Sequence, residues 1–180
     1  NDVSFDLPEV GMIFILGKSG SGKSTIAKLI TSLWNVNSGR ITIGGVDVKQ
    51  IPLEEFNSRI AYVSQDYYLF NESVRENIRQ GNPAATDEEV EEVTRRSGSY
   101  DFIMELENGF GTVVRGAGGH LSGGEKQRIS IARAIMKDSP IIILDEATAN
   151  VDPENEKELV EAVDALTREK TIIMIAHEKA

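Results

Sequence analysis

The 180-residue sequence contains no cysteine, few aromatic residues and no long hydrophobic run. The absence of cysteine excludes a disulfide scaffold, thiolate catalysis and cysteine-based zinc sites. The longest purely apolar runs, residues 12–16 and 141–144, are far shorter than the roughly 20 residues that a membrane-spanning helix needs. Basic residues are also in the minority, with 19 Lys and Arg against 29 Asp and Glu. Unspecific binding to nucleic acid is therefore not expected, and any bound phosphate must be held by local geometry.

The N-terminal segment does not show the pattern of a signal peptide. The chain begins without an initiator Met and without a basic stretch that leads into an apolar one, so no signal peptide is expected. With 40% hydrophobic residues, it is long enough for one globular domain with its own core. We expect a single domain over residues 1–180, cut from a longer polypeptide at both ends.

Apolar segments alternate with helical patterns along most of the chain. One of these segments is interrupted by Gly44-Gly45, which predicts a small antiparallel hairpin. A parallel sheet with helices on both faces is the typical result of such an order, so we predict an α/β fold with a mostly parallel sheet. The predicted strands lie at residues 12–16, 41–43, 46–48, 60–64, 141–144 and 171–176.

The pattern changes to short polar helices between about residues 66 and 120. Capping boxes begin two of these helices, Ser73 with Glu76 and Thr86 with Glu89. We therefore expect an inserted helical subdomain here, which extends into the helix that follows.

Residues 17–24, Gly-Lys-Ser-Gly-Ser-Gly-Lys-Ser, match a phosphate-binding loop between the first predicted strand and helix. The glycines let backbone N–H groups point inward, and the following helix adds its positive end. Lys23 would neutralise the β- and γ-phosphates, and the Ser24 hydroxyl would ligate Mg²⁺. A glycine-rich turn with a solvated lysine is the less favoured interpretation. The predicted nucleotide-binding residues of this loop are Gly17, Lys18, Ser19, Gly20, Ser21, Gly22, Lys23, Ser24 and Thr25.

Two carboxylates, Asp145 and Glu146, directly follow the apolar run at 141–144. Neighbouring side chains there point in different directions, so the two acids can have different roles. We predict that Asp145 joins the Mg²⁺ shell and that Glu146 accepts a proton from, or orients, the attacking water. The alternative is that Glu146 only caps a turn or pairs with an arginine.

Four residues that are far apart in sequence each follow a predicted strand: Gly17, Gln65, Asp145 and His177. Ligands of parallel sheets bind outside the carboxyl ends of the strands, so we expect these residues on one rim. Taken alone, Gln65 would be an ordinary surface residue, and His177 a strand-end histidine with a satisfied hydrogen bond.

Residues 121–128, Leu-Ser-Gly-Gly-Glu-Lys-Gln-Arg, resemble the signature motif of ATP-binding-cassette (ABC) ATPases. With Gln65 in Val-Ser-Gln-Asp, the Asp145-Glu146 pair and His177, the family's motifs occur in family order over essentially the whole chain. The resemblance implies a P-loop NTPase core that binds ATP and Mg²⁺. It also implies a head-to-tail dimer of nucleotide-binding domains, with two ATP molecules between the phosphate loop of one subunit and the signature of the other.

Within the signature, Ser122 and Glu125 also read as a capping box, which explains the start of a helix. The exposed helix end, with Gly123 and Gly124, would favour an anion from another subunit. Both roles are compatible, so Ser122, Gly123 and Gly124 are predicted to contact ATP.

The resemblance implies roles for three further residues. Gln65 would touch Mg²⁺ or the attacking water and sense a transmembrane partner, and His177 would contact the γ-phosphate. Asp152 is carried over to the nucleotide site, although its loop reads Thr-Ala-Asn-Val-Asp where the family usually has Ser-Ala-Leu-Asp. The predicted catalytic residues are Lys23, Gln65, Glu146 and His177, and the predicted metal ligands are Ser24, Gln65 and Asp145.

Asp66 and the segment 73–78, Ser-Val-Arg-Glu-Asn-Ile, resemble exporter-type cassettes that are fused behind membrane helices. The chain departs from exporters at Arg115-Gly116, where they commonly have Gly-Glu. The resemblance implies ATP hydrolysis that powers transport, a transmembrane domain in the same polypeptide, and a soluble ATPase part on the cytoplasmic side of the cell membrane.

Three other functions are weighed against transport. A soluble ABC ATPase of DNA repair or translation usually has a different or much longer insert, and the chain is not basic enough for nucleic acid. A regulatory module that binds nucleotide without turnover would not need Lys23, Glu146 and His177 together. A small-molecule phosphotransferase would not need residues 121–128.

Overall fold

A computed structural model describes the chain over residues 3–64, 68–115, 120–145 and 153–177, with only the backbone described at 153–156, 158–159 and 177. Strands and helices alternate, as predicted. The strands are β1 (Gly11–Gly17), β2 (Thr42–Ile43), β3 (Val46–Asp47), β4 (Ile60–Val63), β5 (Ile141–Asp145) and β6 (Thr171–His177). The helices are α1 (Lys23–Ile30), α2 (Leu53–Arg59), α3 (Val74–Arg79), α4 (Asp87–Arg96), α5 (Tyr100–Glu105), α6 (Gly123–Lys137) and α7 (Pro153–Thr167).

Four strands form one sheet in the order β1-β6-β5-β4. The central strand β6 pairs in parallel with β1, from Gly11 opposite Thr171 to Gly17 opposite His177. It also pairs in parallel with β5, from Ile141 opposite Thr171 to Asp145 opposite Ile175. Non-consecutive parallel neighbours require crossover connections, which the helices supply. The predicted α/β fold with a parallel sheet is therefore confirmed.

The predicted hairpin is also confirmed. Strands β2 and β3 pair antiparallel, with Ile43 opposite Val46. Gly44 and Gly45 form the two-residue turn with φ values of 57° and 80°. Residues that carry a Cβ atom rarely adopt this left-handed backbone conformation, so two consecutive glycines are the sequence signal for the turn.

The described residues divide into two compact units. The first takes those within 1–62, 139–146 and 169–180. Its core joins Ala27 of α1 and Phe56 of α2 to Ile143, Ile173 and Ile175 of the sheet, all of them buried. Each large aliphatic side chain buried in this way contributes about 1.5–3 kcal/mol, so the core anchors α1 to the strands.

The second unit takes the described residues within 63–138 and 147–168. Helix α6 packs against α3, α4 and α7, and its Ile129, Ile131 and Ala132 are fully buried. This unit contains the predicted polar helices, whereas the predicted subdomain bounds near 66 and 120 stay a prediction. No described helix combines the length and the apolar character needed to span a membrane.

Two of the three predicted capping boxes form in full, at Thr86 with Glu89 and at Ser122 with Glu125. The third prediction is half wrong. Ser73 caps α3 by accepting from the Glu76 N–H, but the Glu76 carboxylate pairs with Arg79 instead of returning to the cap. A guanidinium one turn away competes for the carboxylate with a neutral N–H donor.

Helix α2 has no counterpart among the predicted elements. Of its seven residues only Phe56 is buried, so no periodic apolar pattern exists to reveal it. Pro52 before the helix, with Glu54 and Glu55 in its first turn, is the available sequence signal.

Candidate functional site

The phosphate loop connects β1, which ends at Gly17, to α1, which begins at Lys23. Gly20 and Gly22 have φ values of 76° and 94°, so two glycines give the loop its curled backbone. Gly22 precedes the helix without a side-chain cap, and the first turn of α1 carries no acidic residue. The first N–H groups of α1 therefore keep their positive potential for an anion.

Gly17 and Ser21 approach each other closely across this loop. A Cβ atom on Gly17 would lie 2.8 Å from the Ser21 hydroxyl oxygen. The Ser21 N–H donates to the Lys18 carbonyl at 3.2 Å, which closes the turn. A side chain at position 17 would therefore displace the Ser21 hydroxyl, so the constraint here is a close approach and not the φ angle.

Lys23 is buried, with 7% of its surface exposed. Its ammonium donates to the Gly17 carbonyl at 2.8 Å and to the Lys18 carbonyl at 2.9 Å. A buried cation needs such acceptors in the absence of a counter-ion. The charge is thus held over the backbone of the phosphate loop, where an entering phosphate would meet it.

Asp145, the last residue of β5, is also 7% exposed. The Tyr62 hydroxyl of β4 donates to its Oδ2 atom at 2.8 Å. Its other oxygen, Oδ1, is buried and has no hydrogen-bond partner among the described residues. An unsatisfied buried acceptor costs about 1–3 kcal/mol, so the carboxylate is prepared for a cation or another donor.

The strand register brings part of the predicted rim together. Gly17 and His177 are paired residues at the ends of β1 and β6, and Asp145 pairs with Ile175 on the other side of β6. The backbone at these positions therefore meets at one end of the sheet. The described residues leave out Gln65, Glu146, Asp152 and the side chain of His177.

The residues at this rim fit a magnesium site. Mg²⁺ is usually bound by one or two carboxylates together with substrate phosphates and water. Asp145 offers a buried oxygen that has no partner among the described residues, and Ser24 at the start of α1 is exposed. Within the described ranges no group of three His, Asp or Glu side chains could hold a metal by itself. The phosphates would therefore have to complete the coordination.

The signature residues begin α6 in the second unit. The Ser122 hydroxyl accepts from the Glu125 N–H at 3.2 Å, and the Glu125 carboxylate accepts from the Ser122 N–H at 2.7 Å. Ser122 and Gly123 are exposed, and a Cβ on Gly123 would meet no atom of the described residues within 4 Å. The helix end is thus capped and exposed.

Tyr62 is a site residue that sequence reasoning missed. It lies three positions before Gln65 in a predicted strand, where a tyrosine reads as an ordinary β residue. Its contact with Asp145 depends on β4 lying beside β5, a neighbour relation that sequence order does not give.

Comparisons with known proteins place these features among those of one family. A family model described as ABC transporter matches residues 1–149. The chain is 44% identical over 179 residues to an ATP-dependent lipid A-core flippase of Vibrio vulnificus (strain YJ016), covering 97% of this chain and 30% of that protein. It is also 44% identical over 176 residues to the beta-(1→2)glucan export ATP-binding/permease protein NdvA of Brucella melitensis biotype 1, covering 98% of this chain and 29% of that protein.

A solved structure shows the same fold. A bacterial Atm1-family ABC exporter with ATP bound superposes with a TM-score of 0.89 and 37% identity, covering 98% of this chain and 31% of that chain. The chain spans 29–30% of the length of the two curated relatives described above.

Proposed function

This chain belongs to the ABC transporter family, and from that premise we propose that it binds Mg-ATP and hydrolyses it to power transport across a membrane. The predicted enzyme class, an ABC-type ATPase, and the predicted P-loop fold are confirmed by the comparisons.

The occurrence of three features in one unit carries the nucleotide-binding site. An uncapped helix end, the buried Lys23 ammonium and the half-satisfied Asp145 carboxylate all belong to the first unit. The helix end and Lys23 supply positive potential for a triphosphate, and Asp145 supplies an oxygen for its metal. Gly17 to Thr25 would surround the phosphates, and Ser24, Asp145 and Gln65 would hold Mg²⁺.

When bound, Mg²⁺ would neutralise charge that develops on the β- and γ-phosphates. The chain's own contribution is positioning and proton transfer. Lys23 fixes the phosphates, Glu146 accepts a proton from the attacking water, and Gln65 and His177 orient the water and the γ-phosphate.

A second nucleotide-binding domain would complete the site. Ser122, Gly123 and Gly124 form a capped helix end at which Ser122 and Gly123 are exposed, which suits an anion presented by another subunit. We propose a head-to-tail dimer in which this end, with Asp152, contacts ATP held by the partner's phosphate loop. The partner is a second copy or a homologous domain.

The relatives support transport over DNA repair or translation. Both curated relatives carry transport names, a flippase and an export protein, and the chain matches about 30% of the flippase's length. We propose that the remainder of the full-length protein includes a transmembrane domain, and that this ATPase part lies on the cytoplasmic side of the cell membrane. An acidic chain with a net charge of −10 also suits a partner other than nucleic acid.

The Glu146→Gln variant of the full-length protein tests the assigned chemistry. We expect ATP binding to stay within about twofold of the unaltered protein, because only the proton acceptor is lost, while kcat falls by about 10²–10⁴-fold. Glu88→Gln is the matched control, since Glu88 is exposed in the first turn of α4. Full turnover by Glu146→Gln would remove Glu146 from this role, and equal loss in both variants would point to a general effect of charge.

A further inference from the structure

Residues 68–72, the first described residues after Gln65 in the chain, contact the buried side chain of Asn77 in α3. Asn77 is fully buried, and its amide oxygen accepts from the Phe70 N–H at 2.8 Å. Its amide nitrogen donates to the Phe70 carbonyl at 3.0 Å and to the Glu72 carbonyl at 3.3 Å. A single asparagine therefore satisfies both the donor and the acceptor of Phe70 and fixes the backbone of residues 70–72.

Arg133 of α6 contacts the same segment. Its Nη1 donates to the Tyr68 carbonyl at 3.0 Å. Its Nε and Nη2 donate to the backbone and side-chain oxygens of Asn77, at 2.8 and 3.0 Å. The guanidinium also lies 5.4 Å from the centre of the Phe70 ring. One side chain thus connects α6, α3 and the segment 68–72.

The geometry of the guanidinium, more than its charge, makes this connection. Burial lowers the pKa of Arg133 from its usual value. Its hydrogen bonds among the described residues go to carbonyl and amide oxygens and not to a carboxylate. A planar fork can serve three such acceptors at once, whereas a lysine ammonium is a compact point charge on a flexible stem. Arg133→Lys would therefore keep a cation but lose the connection.

We propose that Arg133 and Asn77 are positioning residues that hold the segment after Gln65 at a fixed place on the signature helix. Arg133 lies on the same continuous helix as Ser122, about 15 Å along its axis from Gly123 at 1.5 Å per residue. Residues 68–72, α3 and α6 all belong to the second unit. Residues 68–72 and the signature would then keep a fixed relative position when the proposed ATP sandwich forms.

This inference rests on the proposed function, because it gives Gln65 and the signature their roles in ATP hydrolysis. The phosphate loop belongs to the first unit, so loss of Arg133 should not weaken nucleotide binding directly. Misplacement of a catalytic group by about 1 Å can lower a rate by about 10²-fold. Disruption of the connection should therefore lower kcat and leave the affinity for Mg-ATP unchanged.

The test compares Arg133→Lys with Arg75→Lys in the full-length protein. Arg75 is a matched control in the same unit, because its guanidinium contacts the Phe110 ring at 4.8 Å and pairs with Asp87 at 3.1 Å. For Arg133→Lys we expect the Kd of a non-hydrolysable Mg-ATP analogue to stay within about twofold. We expect kcat to fall about 10- to 100-fold, and amide exchange of residues 68–72 to accelerate. Arg75→Lys should leave all three near their original values.

Each outcome supports or overturns the inference. Faster exchange together with a selective fall in kcat supports it, and Asn77→Ser should reproduce that pattern if Arg133→Lys does not fold. Unchanged exchange or unchanged kcat in Arg133→Lys overturns it, as does a proportional loss in Arg75→Lys. If the unaltered protein hydrolyses no ATP, the proposed function fails, while the exchange comparison still decides whether Arg133 fixes the segment.

Discussion

The hydrogen bond from Tyr62 to Asp145 offers a test of the metal site without altering a proposed ligand. The hydroxyl donates to Oδ2 at 2.8 Å, while Oδ1 has no partner among the described residues. In the proposed site, Tyr62 holds the carboxylate in the rotation that presents Oδ1 to Mg²⁺. Tyr62→Phe removes this single donor and keeps the ring.

The size of the effect of Tyr62→Phe on Mg²⁺ binding follows from the type of hydrogen bond that is lost. A hydrogen bond to a charged group contributes about 1.5–3 kcal/mol, and 1.4 kcal/mol corresponds to about tenfold in an equilibrium constant. Groups that orient metal ligands typically change metal affinity or activity by about 10- to 100-fold when they are removed. We therefore expect the Mg²⁺ concentration for half-maximal ATP hydrolysis to rise about 10- to 100-fold in Tyr62→Phe.

The assay is a titration of ATP hydrolysis with Mg²⁺ at saturating ATP in the full-length protein. Tyr100→Phe is the matched control, because Tyr100 belongs to the second unit and its ring contacts Arg95 and Phe110. An Mg²⁺ requirement that stays within about twofold of the original in Tyr62→Phe would refute the reasoning. An equal change in both variants would also refute it.

Three further predictions address the fold and the proposed dimer. Gly81→Ala should destabilise the protein by about 1–3 kcal/mol by thermal unfolding, because its Cβ would overlap the Arg133 carbonyl, whereas Gly111→Ala meets nothing within 4 Å and should be nearly neutral. Lys23→Ala should weaken Mg-ATP binding at least about tenfold by equilibrium titration, and unchanged affinity would contradict the loop assignment. Ser122→Arg should abolish ATP-dependent dimerisation in light scattering while each chain still binds ATP, and normal dimers would argue against the sandwich.

The sequence alone predicted the parts of the fold that local patterns encode. Apolar runs marked β1, β5 and β6, and paired glycines marked the hairpin. Gly17 and Asp145 were predicted at one edge of the sheet, because each follows a predicted strand and the carboxyl ends of parallel strands lie at the same edge. These features depend on residues close together in the chain or on topology rules.

Contacts between distant residues could not be predicted in the same way. Tyr62 and Asp145 are 83 positions apart, and Asn77 and Arg133 are 56 apart. Each pair meets only because particular strands or helices pack side by side. Helix α2 was not predicted, because a single buried residue produces no periodic apolar pattern. The ion pair of Glu76 was not predicted either, because Arg79 competes with the helix N-terminus for the carboxylate.

The most direct test of the nucleotide site is calorimetric titration of the full-length protein with ATP, with and without Mg²⁺. We expect saturable binding of one Mg-ATP per phosphate loop, with weaker binding when a chelator removes the metal. Absence of saturable heat with Mg-ATP, or affinity that does not depend on the metal, would contradict a site built from the phosphate loop and Asp145.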